Sequence, residues 1–415
     1  MNMHVNIGAD VVANDRTYRR PEKPVVVICL DGSEPGYIER AIEAGLAPNL
    51  DRLMKTGANT TALSVIPSFT NPNNLSIITG RPPAVHGIAG NFFYDREAGV
   101  EVMMNDAKFL RAPTILAEFQ KAGLKVAMVT AKDKLRTLLG KGLDFSSGTA
   151  VAFSSEKADK ANLAENGIEN VLDFVGKPLP EVYSADLSEF VFAAGVKLLG
   201  SFKPDVMYLS TTDYVQHKAA PGSEVANSFY EMFDRYVGEL DMLSTLVITA
   251  DHGMNDKHLA DGSPDVIYLQ EILDEKLGAG ATRVILPITD PYVAHHGALG
   301  SFATVYVEGD AKAAVIEIAK ALDGVTVAIP AEEACERFEL PADRIGDVVV
   351  LSDRHKVLGT SAAKHDLSGL TEPLRSHGGL TEQTVPMISN RMIEVPEGRT
   401  LRNFDVFDVA LNLVR

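Results

Sequence analysis

The sequence predicts an α/β fold, with a mainly parallel sheet covered by helices on both faces and a smaller inserted α+β cap domain. Short apolar runs rich in β-branched residues recur along the chain, namely PVVVICL, LKVAMVT, DVMYLSTT and TLVITA. Such runs are typical of strands buried on both faces. Longer segments with helical spacing lie between them, as in EPGYIERAIEAGLAPNLDRLMKTG. This alternation indicates parallel strands connected by helices.

The pattern changes after residue 257. There SFATVYVEG, AKAAVIEIAKALDG and VTVAIPAEEACERFEL predict a compact unit of strand, helix and strand. We expect residues 20–257 and 369–415 to form the core and residues 258–368 to form the inserted cap. RIGDVVVLSD is expected to rejoin the main sheet near residue 345, and FDVFDVALNLV to form a closing amphipathic helix.

The composition excludes several classes of protein. A chain of 415 residues that is 46% hydrophobic can bury a large core. Its formal net charge of −17 argues against nucleic acid or an anionic membrane as a partner, because either needs a basic face. The two cysteines, Cys29 and Cys335, support neither a disulfide framework nor a thiolate metal site.

No signal peptide and no apolar stretch near the ~20 residues of a membrane span are evident, so we expect a cytoplasmic, reduced location. For the oligomeric state, a homodimer is one option.

Polar residues follow three of the predicted strands. In an open α/β sheet, ligands bind outside the carboxyl ends of the strands. PVVVICLDG ends in Asp31, DVMYLSTTDYVQH contains Asp213 and His217, and TLVITADHG ends in Asp251 and His252. A lone aspartate at a strand end is more often a turn former or a helix cap. Three such positions, two of them with a histidine attached, favour a functional site.

The spacing of these residues is typical of metal ligands. Asp213 and His217 lie four residues apart, which places both side chains on one face of a helical turn. Asp251 and His252 can both reach a site if the chain turns at the following glycine. His377, in the glycine-flanked SHGGL, is either a further ligand or an exposed loop histidine. Carboxylate and imidazole ligands without cysteine suit Zn²⁺, with Mn²⁺ or Fe²⁺ as alternatives.

A single threonine, Thr70, stands at the start of a predicted helix in SFTNPNNLSIITG. Threonine is a preferred N-cap residue, and Pro72 suits a first helical turn. A helix N-terminus also presents unpaired N–H groups and positive partial charge to an anion. Thr70 is therefore either a helix cap or a nucleophile.

A basic segment, TAKDKLRTLLGKG, follows the run LKVAMVT. Lys132 and Lys134 lie two residues apart, so in an extended conformation both side chains point the same way. They either form an ordinary solvated surface or bind an anionic group of a small substrate.

The motifs VVVICLDG, IPSFTNPNNLSIITGRPPAVHGIAGNFFYD, TTDYVQH, TADHGM and SHGG occur in this order over most of the chain. Together they resemble the alkaline phosphatase superfamily, within it the nucleotide pyrophosphatase and phosphodiesterase branch that includes phosphonoacetate hydrolases. The resemblance implies an alkaline phosphatase-like three-layer α/β/α sandwich in which two Zn²⁺ ions serve a hydrolase. Thr70 corresponds to the nucleophile, and Asn91, in HGIAGN, to the phosphate-binding asparagine.

The resemblance also implies how the metal ligands are shared. One ion would take Asp213, His217 and His377. The other would take Asp31, Asp251 and His252, with Thr70 bridging toward it. The remaining candidates, His86, His258, His295 and His296, do not fall on expected ligand positions and are expected to lie in loops or around the site.

The expected substrate is inferred from the lysine pair, because Lys132 and Lys134 resemble the carboxylate-binding lysines of phosphonoacetate hydrolases. We expect a small anionic substrate, phosphonoacetate, to be hydrolysed to acetate and phosphate through a phosphothreonine at Thr70. One alternative is a phosphodiesterase or nucleotide pyrophosphatase, whose base could stack on Phe69, Phe92, Phe93 or Tyr94. A catalytically inactive metal-binding protein is the other alternative, and the complete ligand set speaks against it.

Overall fold

The computed structural model describes residues 9–290, 297–368 and 370–415. Within these residues, the strands in chain order are β1 (Val11–Ala13), β2 (Arg16–Tyr18), β3 (Val25–Cys29), β4 (Ala58–Leu63), β5 (Phe92–Asp95), β6 (Val100–Met103), β7 (Val126–Thr130), β8 (Ala150–Ser154), β9 (Val206–Ser210), β10 (Thr245–Thr249), β11 (Asn255–Asp256), β12 (Val266–Tyr268), β13 (Thr282–Ile285), β14 (Phe302–Val307), β15 (Val325–Pro330), β16 (Val348–Ser352), β17 (Val357–Gly359), β18 (Arg375–Ser376) and β19 (Thr384–Ser389).

The α-helices are α1 (Pro35–Glu43), α2 (Pro48–Thr56), α3 (Thr70–Thr79), α4 (Pro83–His86), α5 (Ile115–Lys121), α6 (Asp133–Leu139), α7 (Leu163–Asn166), α8 (Val171–Val175), α9 (Asp186–Ser201), α10 (Tyr214–Lys218), α11 (Glu224–Leu243), α12 (Leu269–Leu277), α13 (Lys312–Lys320), α14 (Ala331–Phe338) and α15 (Val406–Asp408). The closing amphipathic helix expected in FDVFDVALNLV is short, because α15 continues as a π-helix over Val409–Leu413.

The main sheet has seven strands in the order β4-β19-β10-β3-β9-β7-β8. The five strands from β10 to β8 are parallel, as predicted, and all four runs quoted for the sheet are among them. β19 is antiparallel to both β10 and β4. The mixed edge has a simple cause, since β19 enters the sheet from the side at which β10 leaves it.

Helices cover both faces of this sheet, which makes three layers. Along β3, Val26 and Ile28 pack into one core with α1, α2, α9 and α11. The alternate residues Val25 and Val27 pack into a second core with α3, α5, α6 and the C-terminal segment. Strand side chains alternate between the two faces of a sheet, so both faces of β3 are apolar because both are covered.

A second, antiparallel sheet lies between β10 and β19 in the chain, with the order β13-β14-β16-β15. It packs with α12, α13 and α14 around its own apolar core. This unit contains the strand and helix predicted for the cap. The proposed cap boundaries, residues 258–368, remain a prediction, and Gly369 itself lies outside the described residues.

One expectation for this region is wrong. RIGDVVVLSD forms β16, which pairs with β14 and β15 in the second sheet and does not rejoin the main sheet near residue 345. The chain rejoins the main sheet only at β19. A buried apolar strand carries no local signal for which sheet it enters, because the pairing is decided by distant partners.

Candidate active site and metal centre

The predicted site residues meet at one edge of the main sheet. Cys29 of β3 is in register with Ser210 of β9 and Thr249 of β10, so the three strands end level with one another. The residues that follow them, Asp31, Asp213 and Asp251, therefore emerge side by side.

A glycine allows this close approach beside Asp31. Gly32 has φ +70°, and a Cβ there would lie 2.9 Å from Cβ of Asp213. The αL conformation and the lack of space both require glycine.

One group of ligand atoms is formed by Asp213, His217 and His377, whose atoms lie within 4.8 Å of one another. Nε2 of His217 is 2.9 Å from Oδ2 of Asp213, and Nε2 of His377 is 3.6 Å from the same oxygen. The predicted spacing explains the first contact, because Asp213 is the N-cap residue of α10 and His217 lies one turn along that helix. These are the three ligands expected for one ion.

A second group contains Asp31, Asp213 and His252. Nε2 of His252 lies 3.3 Å from Oδ1 of Asp31 and 3.8 Å from Oδ2 of Asp251. Asp251 is already well hydrogen-bonded, since it accepts from the backbone N–H groups of Gly32 and His252. The second group therefore contains Asp213, which faces both groups, and Asp251 lies beside it as the neighbour of His252.

The three imidazoles are hydrogen-bonded in the same way, each through its Nδ1 atom. Nδ1 of His217, His252 and His377 lies 2.8–2.9 Å from a backbone carbonyl, of Arg375, Gly253 and Ser68 respectively. A carbonyl only accepts, so each Nδ1 carries the proton and each Nε2 presents its lone pair to the carboxylates. Outer hydrogen bonds of this kind fix metal-binding histidines in proteins.

The buried carboxylates at this edge of the sheet would be stabilised by a cation. Burial and the charges of Asp213 and Asp251 raise the pKa of Asp31 well above its usual range. Oδ1 of Asp31 is buried and has no hydrogen-bond partner among the described residues. Burial and the neighbouring imidazoles of His252 and His217 hold the pKa of His377 well below its usual range, so this ring is neutral. Neutral imidazoles and crowded carboxylates fit a divalent metal centre.

Thr70 is the first residue of α3, and the N-cap is Phe69, whose side chain makes no capping bond. The capping interpretation of Thr70 is therefore wrong. Its Oγ1 lies 3.3 Å from Nε2 of His252, beside the group that contains Asp31. Asn74, one turn along α3, donates to the carbonyl of Thr70 and to Oδ2 of Asp251. The start of the helix is thereby tied to the strand end that carries Asp251.

A cavity of about 400 Å³ opens over these groups. Its walls include Thr70, both metal-ligand groups except His252, and the predicted substrate-binding residues Asn91, Lys132 and Lys134. Nδ2 of Asn91 donates to the carbonyl of Ile288, 3.1 Å away. The predicted nucleophile, three of the predicted metal ligands besides Asp31, and the predicted substrate-binding residues thus face one cavity.

The two lysines reach this cavity by different routes. Lys132 is extended and is the N-cap residue of α6, whereas Lys134 lies in the first turn of that helix, so the expected extended pairing is wrong. Nζ of Lys132 donates to the carbonyl of Val182 at 3.2 Å and lies 5.4 Å from the centre of the Tyr183 ring. Nζ of Lys134 lies 2.9 Å from both oxygens of Asp290.

The aromatic residues suggested for nucleotide stacking do not provide a platform. Of those four, only Phe69 is part of the cavity wall, and its buried ring meets His377 edge-on. Tyr94 packs against Tyr306 instead. Sequence reasoning missed Tyr183 and Tyr214, which do line the cavity. Tyr214 could have been found beside Asp213 in TTDYVQH, but nothing in the sequence around Tyr183 indicates the site.

The remaining histidines have other surroundings. His86 is buried, bonds Ser76 Oγ through Nε2, and has its pKa lowered by burial to about 3. His258 bonds the carbonyl of Leu259. His295 and His296 lie outside the described residues. Cys29 and Cys335 are both free thiols, as the sequence predicts.

Comparison with known proteins identifies the class. The profile of the family described as type I phosphodiesterase / nucleotide pyrophosphatase matches residues 25–380. The chain belongs to this family, which confirms the resemblance to the alkaline phosphatase superfamily. Among solved structures, it is similar to phosphonoacetate hydrolase from Sinorhizobium meliloti 1021, crystallised with phosphonoacetate and with phosphonoformate. The two chains are 63% identical with a TM-score of 0.95, and the match covers 97% of this chain and 98% of the other.

More distant relatives share the fold. Murine ectonucleotide pyrophosphatase/phosphodiesterase 5 is 19% identical, with a TM-score of 0.63 over 95% of this chain and 96% of that one. Ectonucleotide pyrophosphatase/phosphodiesterase 1 of Saccharomyces cerevisiae is 26% identical over 282 residues. That alignment spans 61% of this chain but only 36% of the yeast protein. Among the described residues, every helix is too short or too polar to cross a membrane.

Proposed function

We propose that the protein hydrolyses the carbon–phosphorus bond of phosphonoacetate, giving acetate and phosphate. The observation that carries this proposal is the placement of Lys132 and Lys134 in the same cavity as Thr70 and the metal-ligand groups. When the phosphoryl group of the substrate lies at Thr70, its carboxylate needs a separate positively charged site, which the two lysines provide. The 63% identity to a phosphonoacetate hydrolase over 97% of this chain supports the same substrate.

We assign the metal ligands as Asp213, His217 and His377 for one Zn²⁺, and Asp31, Asp251 and His252, with Thr70, for the other. Zn²⁺ suits this donor set, and Mn²⁺ or Fe²⁺ are the alternatives. When bound, such ions lower the pKa of a nearby hydroxyl and attract electron density from phosphoryl oxygens.

Thr70 acts as the nucleophile in this scheme. Its hydroxyl gives its proton to water, its oxygen bonds to phosphorus, the carbon–phosphorus bond breaks, and the electron pair stays on the departing carbon. The N-terminus of α3 faces the phosphoryl group with unpaired N–H groups, and Asn91 binds a phosphoryl oxygen. Water then hydrolyses the phosphothreonine, which releases phosphate and restores the hydroxyl of Thr70.

The departing carbanion is stabilised by the lysine pair. Its charge spreads onto the adjacent carboxylate as an enediolate, and a proton from water completes acetate. In this scheme Lys132 and Lys134 bind that carboxylate, and their positive charge stabilises it more strongly as the electron pair moves onto it. Asp290 holds Lys134 at the cavity wall, and the carbonyl of Val182 holds Lys132.

A direct comparison of substrates tests this proposal. The zinc-loaded protein is incubated separately with phosphonoacetate, a nitrophenyl phosphodiester and a nitrophenyl phosphate monoester, and the rates of product release are ranked. Phosphonoacetate is expected to react fastest by a wide margin. A faster rate on the phosphodiester would move the assignment to the phosphodiesterase alternative, and no turnover of any substrate would favour an inactive metal-binding protein.

The lysine pair yields a selective prediction. Lys132→Ala and Lys134→Ala are each expected to lower the rate on phosphonoacetate about ten- to a hundredfold or more, because a charged hydrogen bond contributes ~1.5–3 kcal/mol. Phenyl phosphate esters lack the carboxylate, so their rates should change little. Steady-state kinetics on both substrates separate the effects. Equal losses on both, or no loss on either, would remove the lysines from the substrate site.

Two further expectations, a cytoplasmic location and a homodimer as one option for the oligomeric state, remain predictions. Gel filtration with light scattering measures the second of these directly.

A further inference from the structure

An ion pair lies buried behind the site, outside the cavity wall. The side chains of Lys257 and Glu382 are both fully buried, and Nζ of Lys257 lies 3.1 Å from Oε1 of Glu382. Lysine and glutamate are almost never buried this completely unless they are paired and hydrogen-bonded. The proposed reaction uses neither residue, so their burial needs another explanation.

The carboxylate of Glu382 is a hub of hydrogen bonds. It accepts from Asn255 Nδ2 at 2.5 Å, Thr381 Oγ1 at 2.6 Å, Gly379 N at 2.8 Å and Lys257 Nζ at 3.1 Å. The backbone carbonyl of Glu382 also accepts from the N–H of Gly253 at 2.7 Å. An ionised carboxylate accepts from all four of these donors, three side chains and one backbone N–H, whereas an amide has one oxygen, and its NH₂ group would face donors.

These bonds hold the two loops that carry metal-ligand candidates. Gly253 follows His252 directly, and Gly379 is two residues beyond His377. The rings of His252 and His377 stack with centroids 3.6 Å apart and planes 6° apart. The ring of His252 is held within its own loop by the bond from Nδ1 to the carbonyl of Gly253, and the ring of His377 is held by the bond from Nδ1 to the carbonyl of Ser68, just before α3. Two features join the loops to each other, namely the pairing of β11 with β18 and Glu382, which contacts both loops.

Lys257 extends the connection to the second sheet. Besides Glu382, its Nζ donates to the carbonyl of Asp353, which follows β16 directly. One buried ammonium thus contacts the loop of His377 and the end of a strand in the second sheet.

We propose that Lys257 and Glu382 are positioning residues that set the spacing of His252 and His377, and with it the affinity and activity of the metal centre. The pair acts through these two histidines and does not touch substrate. This inference rests on the proposed metal assignment but not on the choice of phosphonoacetate as substrate.

The test compares Lys257→Met and Glu382→Gln with a matched control. Lys356→Met is the control, because Lys356 pairs with Asp265 at 2.9 Å, neither residue lines the cavity, and the same side chain is replaced. Zinc binding to the metal-free proteins is measured by titration calorimetry, and kcat and KM are measured separately on phosphonoacetate. Thermal unfolding and near-ultraviolet circular dichroism establish the folded fraction of each variant.

We expect Lys257→Met and Glu382→Gln to bind zinc about 10- to 100-fold more weakly than Lys356→Met, as is typical when groups behind metal ligands are removed. The loss in activity should fall on kcat, with KM nearly unchanged, because the lysines that bind the substrate carboxylate are untouched. Zinc affinity and kcat equal to those of the control, in folded protein, would overturn the proposal. If Lys257→Met does not fold, Glu382→Gln, which preserves side-chain volume, decides by the same measurements.

The calorimetry separates this proposal from the proposed function. If the wild-type protein does not hydrolyse phosphonoacetate but the variants still lose zinc affinity, only the substrate assignment fails. If the substrate is hydrolysed and zinc affinity is unchanged in both variants, only the positioning role fails.

Discussion

Thr70→Ala is expected to lower turnover of phosphonoacetate by several orders of magnitude while leaving folding and metal content nearly intact. The reason is chemical, since the substitution removes the oxygen that bonds to phosphorus, and loss of a covalent nucleophile is among the costliest changes in an enzyme. Single-turnover kinetics, elemental analysis and thermal unfolding measure the three quantities on one preparation.

The position of Thr70 in α3 also predicts the effect of Thr70→Ala on stability. A capping threonine contributes ~1 kcal/mol of stability, but the N-cap of α3 is Phe69, so we expect little change in the unfolding temperature. Thr70→Ser is the matched control, because it keeps a hydroxyl beside His252 and should keep most of the activity. A Thr70→Ala protein with modest kinetic change and reduced stability would return this residue to a structural role.

The double variant His217→Ala/His377→Ala is expected to lose one of two bound zinc ions and nearly all activity. Both side chains face Asp213, so their loss leaves one carboxylate to hold that ion. Metal affinity depends on the number of ligands that the fold holds in place, and a single carboxylate does not retain Zn²⁺ against dialysis.

Elemental analysis after dialysis measures this directly, with close to two ions per chain expected for the wild-type protein. His258→Ala is the control, because the side chain of His258 bonds the carbonyl of the neighbouring Leu259 and its loss should change neither number. Two zinc ions retained by the double variant would contradict the assignment of His217 and His377.

The sequence predicts that three carboxylates lie at one edge of the sheet, because their placement follows from strand geometry. Asp31, Asp213 and Asp251 come just after parallel strands, and parallel strands in register deliver the following residues to one edge. His217 was predicted equally directly, since four-residue spacing on α10 sets it against Asp213. These inferences need only local periodicity.

Other features depend on contacts that no local pattern encodes. The apolar run of β16 is as typical of a main-sheet strand as β3, and only its pairing with β14 assigns it to the second sheet. Lys134 was expected to be extended, but the helix α6 begins one residue before it. Glu382 lies in a polar segment that gives no sign of burial. Its burial is compensated by an ion pair with Lys257, a residue 125 positions away in the sequence.

In the seven-stranded sheet, β19 runs antiparallel to its neighbours β10 and β4. The direction of a strand decides whether the residues at the site come before it or after it in the chain. A parallel strand delivers residues that follow it, whereas β19 delivers residues that precede it, and His377 is one of these. The chain therefore departs through His252 and returns through His377, and the stacked rings pin the ends of residues 253–376 together. In polymer terms, that segment is a closed loop whose ends meet at the stacked rings of His252 and His377. The entropy of closing a loop grows only logarithmically, by ≈0.6 kcal/mol for each doubling of its length. A change in the length of this segment therefore alters the entropy of closing it only slightly, provided that the two ends are kept.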